Sequence, residues 1–251
     1  MLRSLSLVLL CLIARPAGAE EIVLGLSKDE VAITATFDGS DILIFGAIKR
    51  DAPAPTDSDL GVIVTVAGPN EAVTVRRKER RFGIWVNSEA VDIDVAPSFY
   101  AVATNRPLTE ILDEDEDLNI RISTGRAIRS VGPSETDSSK FADALIRIRE
   151  SSRLYQTLPE GVWLKDNTLF RTLIHLPANL IEGDYLAEIY LTRNGQVIDL
   201  YRTTIPVKKV GLERWLYNLA HDNAVLYGLM SLAIAIAAGW CASAVFSLMR
   251  R

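Results

Sequence analysis

Tyr185-Leu186-Ala187-Glu188-Ile189-Tyr190-Leu191-Thr192, then Asn194-Gly195, then Val197 to Ile205 make up the stretch that decides the fold. Along the first segment apolar residues recur at every second position, the period of a half-buried strand. Asn-Gly accepts the positive φ angles that a two-residue type I′ turn requires, so the stretch predicts a β-hairpin. Upstream, Leu169 to Leu176 alternates in the same way, and Glu30 to Thr36 reads as a strand ended by Asp38-Gly39. Ile42 to Ile48 is almost continuously apolar, which predicts a central strand buried on both faces. Val62–Val66 and Val73–Val75 flank the turn-forming triplet Gly68-Pro69-Asn70 and predict a second hairpin. Val91-Asp92-Ile93-Asp94-Val95 has one apolar and one acidic face.

Short strands at this spacing predict a mainly β fold, an Ig-like β-sandwich with a few helices. Gly183-Asp184-Tyr185 entering a strand is similar to immunoglobulin-like folds. The expected organisation is an N-terminal β unit over 20–105, a helical connecting region over 106–160 and a C-terminal β unit over 161–210. A single sandwich interrupted by a helical insertion fits the same pattern. Pro107 to Leu112 predicts a short helix, because proline is tolerated in a first turn. Asp137 to Arg153 predicts a longer one, with Phe141, Leu145, Ile148 and Ser152 on one side and Ala142 and Ile146 beside them. Its Arg147, Arg149 and Arg153 suit the negative end of the helix dipole.

The two ends of the chain point to export and anchoring. Residues 1–19 have the grammar of a signal peptide: Arg3, an apolar run from Leu5 to Ala14, Pro16, and Ala17-Gly18-Ala19 ahead of Glu20. From Ala224 to Leu248 no residue is charged, and 25 helical residues reach ~37 Å, enough for a ~30 Å hydrocarbon core. One transmembrane helix over 224–248 is therefore expected, with Tyr217, Tyr227 and Trp240 suited to the headgroup zones. Leu212, Trp215, Leu216 and Leu219 predict a juxtamembrane amphipathic helix over 211–223, either on the bilayer surface or continuous with the span. Residues 249–251 form the expected cytoplasmic tail. Signal and span together predict a single-pass protein with its ectodomain in the periplasm.

Between these ends the segment 20–223 carries 32 acidic against 23 basic residues, a net −9. That balance argues against nucleic acid or anionic lipid as the main partner. Cys11 belongs to the signal and Cys241 to the span, so the ectodomain must fold on packing without disulfides. No nucleophile elbow, phosphate loop, dinucleotide fingerprint or Cys-His arrangement recommends an enzyme, and no cofactor is implied. His175 and His221 have no spaced partners for zinc.

Arg76-Arg77-Lys78-Glu79-Arg80-Arg81, followed by Phe82-Gly83-Ile84-Trp85-Val86-Asn87, is the conspicuous candidate site. Arg76, Arg77, Lys78, Arg80 and Arg81, with Trp85 and Asn87, would contact a small anion or a partner protein, since guanidinium forks suit sulfonate, phosphate or carboxylate. A solvated hairpin edge would use the same charges to discourage strand pairing. Asp113-Glu114-Asp115-Glu116-Asp117 lacks the spacing of a calcium loop and reads as a solvated loop. Ser231, Ala235, Gly239, Ser243 and Ser247 repeat every four residues, a small-residue stripe suited to packing against another membrane helix.

Arg81-Phe82-Gly83-Ile84-Trp85-Val86-Asn87, then Val95-Ala96-Pro97-Ser98-Phe99-Tyr100-Ala101-Val102-Ala103, together with the signal–ectodomain–helix layout, resembles the Alph_Pro_TM family of alphaproteobacterial transmembrane proteins. The resemblance covers nearly the whole chain. It implies an inner-membrane protein facing the periplasm. It also implies an accessory role beside a sulfite-exporter-type anion permease, and it carries over no catalytic residues. The competing expectation is a structural or envelope-assembly protein that meets other proteins through its β-sandwich.

Overall fold

The computed structural model describes residues 20–34, 37–50, 60–128 and 135–249. The expected signal peptide and the terminal Arg250-Arg251 lie outside them. Twelve strands are present among the described residues: β1 (Glu20–Leu26), β2 (Val31–Ile33), β3 (Gly39–Arg50), β4 (Leu60–Ala67), β5 (Asn70–Arg81), β6 (Ile84–Pro97), β7 (Tyr100–Thr104), β8 (Tyr155–Leu158), β9 (Val162–Lys165), β10 (Leu169–Pro177), β11 (Gly183–Arg193) and β12 (Gln196–Lys209). Four helices fall between β7 and β8: α1 (Leu108–Ile111), α2 (Glu114–Ile120), α3 (Thr124–Ala127) and α4 (Glu135–Ser151).

The Asn194-Gly195 hairpin forms as its sequence predicts. Both residues take positive φ, 50° and 79°, and Arg193 stands opposite Gln196. β11 then pairs on its other side with β4, β4 with β7, and β7 with β8, the last pair being parallel. The resulting sheet has the order β2-β12-β11-β4-β7-β8, and a second sheet has the order β1-β3-β10-β9. β9 lies against β4 and β10 against β7, so the two sheets face one another. Ile42, Ile44, Phe170 and Ile174 from one sheet and Val62, Val64, Ile189 and Leu191 from the other are almost wholly buried. The Ile22 N–H also donates to Asp199 Oδ2 at 3.0 Å, tying β1 to β12.

Strands from before and after the helices share both sheets. β3 pairs with β10, and β4 with β11. Strands from the stretch expected as the N-terminal β unit, 20–105, thus pair with strands from 161–210 in both sheets.

Several expectations need correction. β3 is buried on one face only: Phe45 is 43% exposed, and Leu173 opposite Leu43 is 56% exposed. Among the described residues the strands enclosed on both sides are β4, where Leu60 through Val66 are all buried with α1 packed against it, and β7, where Tyr100 through Thr104 are all buried. Val62–Val66 and Val73–Val75 do not form a hairpin, because Gly68-Pro69 passes the chain from one sheet into a different ribbon, where β5 pairs with β6. Within 30–36 only Val31–Ile33 is assigned as strand, and positions 35 and 36 lie outside the described residues. In α4, Phe141 and Leu145 are buried as expected, but Ile148 faces outward. The acidic run is not a loop. It builds α2, whose Asp117 is buried, with Oδ1 accepting the Ile122 and Ser123 N–H groups at 2.9 and 2.8 Å.

A second unit comprises residues 32–37 and 208–251. Within it the Val210 N–H donates to the Ile33 carbonyl at 2.8 Å. Helices α5 (Leu212–Asp222) and α6 (Ala224–Met249) follow. Asn223, at φ −140° and ψ 64°, ends α5 before α6 begins, so the amphipathic stripe and the span are separate helices. Ala224–Ser243 within α6 is long and apolar enough to cross a membrane, and none of it is buried.

Candidate functional site

The basic run lies on a β-ribbon that leaves the six-stranded sheet. β4 continues through Gly68-Pro69 into β5, and β6 returns through Ser98-Phe99 into β7. The hinge stays hydrogen-bonded: Gly68 N–H donates to Phe99 O and Ser98 N–H to Pro69 O, each at 2.8 Å. Twelve residues at ~3.3 Å each make an arm of ~40 Å along β5. Its base is clamped. α4 packs on both strands, Arg149 Nη2 meets Glu71 Oε2 at 3.0 Å, and Tyr155 Oη donates to Pro97 O at 2.7 Å. Burial pushes the Tyr155 phenol up to about 12, so it remains a donor at neutral pH.

Further out the ribbon stands unsupported, with no buried residue from Arg76 to Ala90. An isolated two-stranded hairpin is marginal in water, so cross-strand pairs carry this part. Thr74 Oγ1 donates to Asp92 Oδ1 at 2.6 Å, and Arg77 Nη1 meets Glu89 Oε2 at 3.1 Å.

Strand alternation sorts the basic residues into two sets. Arg77, Glu79 and Arg81 share one face, where Glu89 and Glu79 neutralise the two arginines (Arg81 to Glu79, 3.3 Å). Arg76, Lys78 and Arg80 share the opposite face at ~7 Å intervals. None of these three has an ion pair among the described residues. Register places Asn87 opposite Lys78 and Trp85 opposite Arg80, so the same face holds both. Five of the seven candidate residues therefore converge on one surface, while Arg77 and Arg81 point away from it.

The tip is a two-residue turn, Phe82-Gly83, with Arg81 opposite Ile84. Both turn residues take positive φ, 50° and 87°. Glycine meets that demand at no steric cost, whereas phenylalanine is strained there. Phe82 is nonetheless fully exposed at 107%, with Ile84 at 65% and Trp85 at 69%. A bulky apolar side chain that is strained and buries nothing does not stabilise the fold, so it points to a role in binding.

The family model described as "Putative transmembrane protein (Alph_Pro_TM)" matches residues 21–248. The chain belongs to the Alph_Pro_TM family. No curated protein matches it.

The Alph_Pro_TM match spans sandwich, arm and α6 together, and the chain is a membrane protein with one candidate C-terminal span. Along α6 Ser231, Ala235, Gly239 and Ser243 are exposed, and the space beside the Gly239 Cα is open. Ser247 falls in the same helix, with its side chain outside the described residues. The sequence reading missed a polar depression of about 500 Å³ where β3 meets β10. There His175 Nδ1 lies 2.7 Å from Asp41 Oδ1, and Lys28 Nζ donates to Ser40 Oγ at 2.5 Å. Asp41 and His175 are 134 positions apart, so only strand register could have joined them. Among the described residues no three His, Cys, Asp or Glu side chains converge as a metal set.

Proposed function

We propose that this protein is a non-enzymatic accessory protein, exported and tethered to the inner membrane by α6, whose periplasmic β-domain engages an anionic partner through the β5–β6 arm. One observation carries the reading: Arg76, Lys78 and Arg80 stand on a single face, with no ion pair among the described residues, beside exposed Trp85. Edge cations that only discourage strand pairing would account for the charges but not for the exposed Phe82 and Trp85 beside them. The signal grammar of residues 1–19 supports export, and the uncharged helix supports the tether. Confinement to the bilayer raises the arm's effective concentration near anything in the same membrane. The sulfite-exporter-type permease implied by the family resemblance is the candidate neighbour of α6. Its co-purification with the full chain should vanish when Ala224–Leu248 is replaced by an unrelated span.

Photo-crosslinking tests the arm itself, with a photoreactive residue at Phe82 in the full-length protein in its native membrane. Adducts at Phe82, absent from a control at Ile148 and reduced by Arg76→Glu, Lys78→Glu and Arg80→Glu together, are the expected result. Labelling at Phe82 no stronger than at Ile148 refutes the reading.

A second observation favours envelope assembly through a different surface. The outer face of the four-stranded sheet exposes Val23, Phe45, Trp163, Leu169 and Leu173, with Arg171 over the Trp163 ring at 4.7 Å. Clustered apolar exposure of this kind marks interaction surfaces. Phe45→Glu should release a protein partner held there without touching the arm.

A further inference from the structure

We infer that the anionic partner of the arm is a phospholipid bilayer surface: the Phe82-Gly83-Ile84-Trp85 tip enters the headgroup boundary while Arg76, Lys78 and Arg80 meet lipid phosphates. This rests on the reading of the arm as the binding limb. Net charge had argued against anionic lipid, but the fold separates the charges. Between Arg76 and Asn87 five cations stand against one carboxylate, Glu79, on a ribbon that projects from an acidic domain.

Three features favour a bilayer over an acidic protein groove. The first is order along the arm: Arg76 and Lys78 come first, Arg80 stands level with Trp85, and Phe82 and Ile84 occupy the far end, with Arg81 opposite Ile84. An anionic interface has that same order, charged headgroups above an apolar interior, and tryptophan is favoured at the boundary between them. The second is backbone satisfaction. β5 and β6 pair up to Arg81–Ile84, which satisfies the groups that face inward, and the outward edge groups stay hydrated because the tip goes no deeper than the headgroup boundary. The third is reach. Arg and Lys stems can run along the ribbon and keep their charges at the phosphates while the tip sits ~5–10 Å deeper. A flat lipid surface also needs no complementary pocket for a strained, protruding phenylalanine, whereas a protein partner would.

The test uses the full-length protein with both native cysteines replaced by serine and an environment-sensitive fluorophore at Asn87→Cys. The protein is reconstituted in phosphatidylcholine vesicles with and without phosphatidylglycerol. The same vesicles are also titrated onto protein held in phosphatidylcholine nanodiscs. Phosphatidylglycerol should blue-shift the emission and bring it within reach of quencher-bearing lipids, and high salt should reverse both. Each surface cation contributes about 5-fold in affinity, so Arg76→Gln, Lys78→Gln and Arg80→Gln together should weaken vesicle binding on the order of 100-fold. Trp85→Ala should weaken it at every salt concentration, and neither variant should lower thermal stability. Emission indifferent to phosphatidylglycerol in both formats overturns the inference, as does binding unchanged by the triple variant. If Phe82 crosslinks a protein in native membranes while the label ignores phosphatidylglycerol, the bilayer assignment fails and the accessory reading stands.

Discussion

Glu20→Gln should loosen the join between the two sheets, by an amount that depends on pH. Glu20 Oε1 accepts from Arg50 Nε at 2.6 Å and from Arg193 Nη2 at 2.8 Å, and Oε2 accepts from the same Nη2 at 2.9 Å. Arg50 belongs to β3 and Arg193 to β11, so one carboxylate fastens both sheets. All three side chains are largely buried, at 9%, 12% and 14% exposure. Burial alone would raise the Glu20 pKa, but hydrogen bonds and charge from Arg50 and Arg193 outweigh it and hold the carboxyl below its ordinary 4.5. Removing one member of a buried ion pair costs about 3–5 kcal/mol. Glutamine keeps the shape and one acceptor, so about 2–3 kcal/mol is expected here. For a domain of this size that lowers Tm by roughly 5–10 °C. The folded pKa lies below the unfolded one, so this stability is fully present above about 4.5 and is lost as pH falls through the folded value. Thermal unfolding of the full-length protein with residues 1–19 kept attached, so that residue 20 stays internal, followed in mild detergent by circular dichroism from neutral to acid pH, reads the difference. The gap between wild type and variant should be constant near neutrality and close in acid. Equal Tm values at neutral pH, or a gap that persists unchanged into strong acid, would refute the reasoning.

Phe82→Asn gives the tip the preferred Asn-Gly pair and relieves the strained φ, so Tm should hold or rise by the equivalent of about 1 kcal/mol while crosslinking and vesicle binding fall. Gly195→Ala forces a Cβ into the Asp113 carboxylate at φ 79°, and about 2 kcal/mol should be lost in a urea titration. Asp117→Ala leaves the Ile122 and Ser123 amides and Arg126 without their buried acceptor. About 3 kcal/mol should be lost, and faster hydrogen exchange at 122–123 should locate it.

The mainly β class, the Asn194-Gly195 hairpin and the apolar C-terminal helix were legible because each is written in local periodicity or turn chemistry. What escaped was set by pairing at long range. Gly68-Pro69-Asn70 has the composition of a hairpin turn, yet β4 finds its partners in β7 and β11, and the triplet only bends the chain. Ile42–Ile48 and Leu60–Val66 are equally apolar, so nothing local shows which is covered by α1 and which presents Phe45 to the outside. In the acidic run, Asp117 is buried because it caps the backbone of Ile122 and Ser123, a contact that composition cannot display. The basic cluster was visible as a cluster. Its division into a neutralised and a bare face depended on the register of β5 against β6, which follows from the position of the Phe82-Gly83 turn and the irregularity between Arg77 and Lys78.

That division bears on what the arm is for. Neutralising carboxylates fit this ribbon readily, since Glu79 and Glu89 already serve Arg81 and Arg77 across one face. The other face repeats the same spacing with Arg76, Lys78 and Arg80 and supplies no carboxylate among its outer residues, so like charges lie ~7 Å apart and oppose the folded ribbon. The tip adds a strained phenylalanine and an exposed tryptophan that bury nothing. Each feature lowers the stability of an element that is marginal already, and the sandwich core draws no buried contact from Arg76 to Ala90. A purely structural hairpin would gain by losing all of them at once. Their presence together on one end of one ribbon is accounted for by a surface outside the chain that takes up both the charge and the apolar side chains.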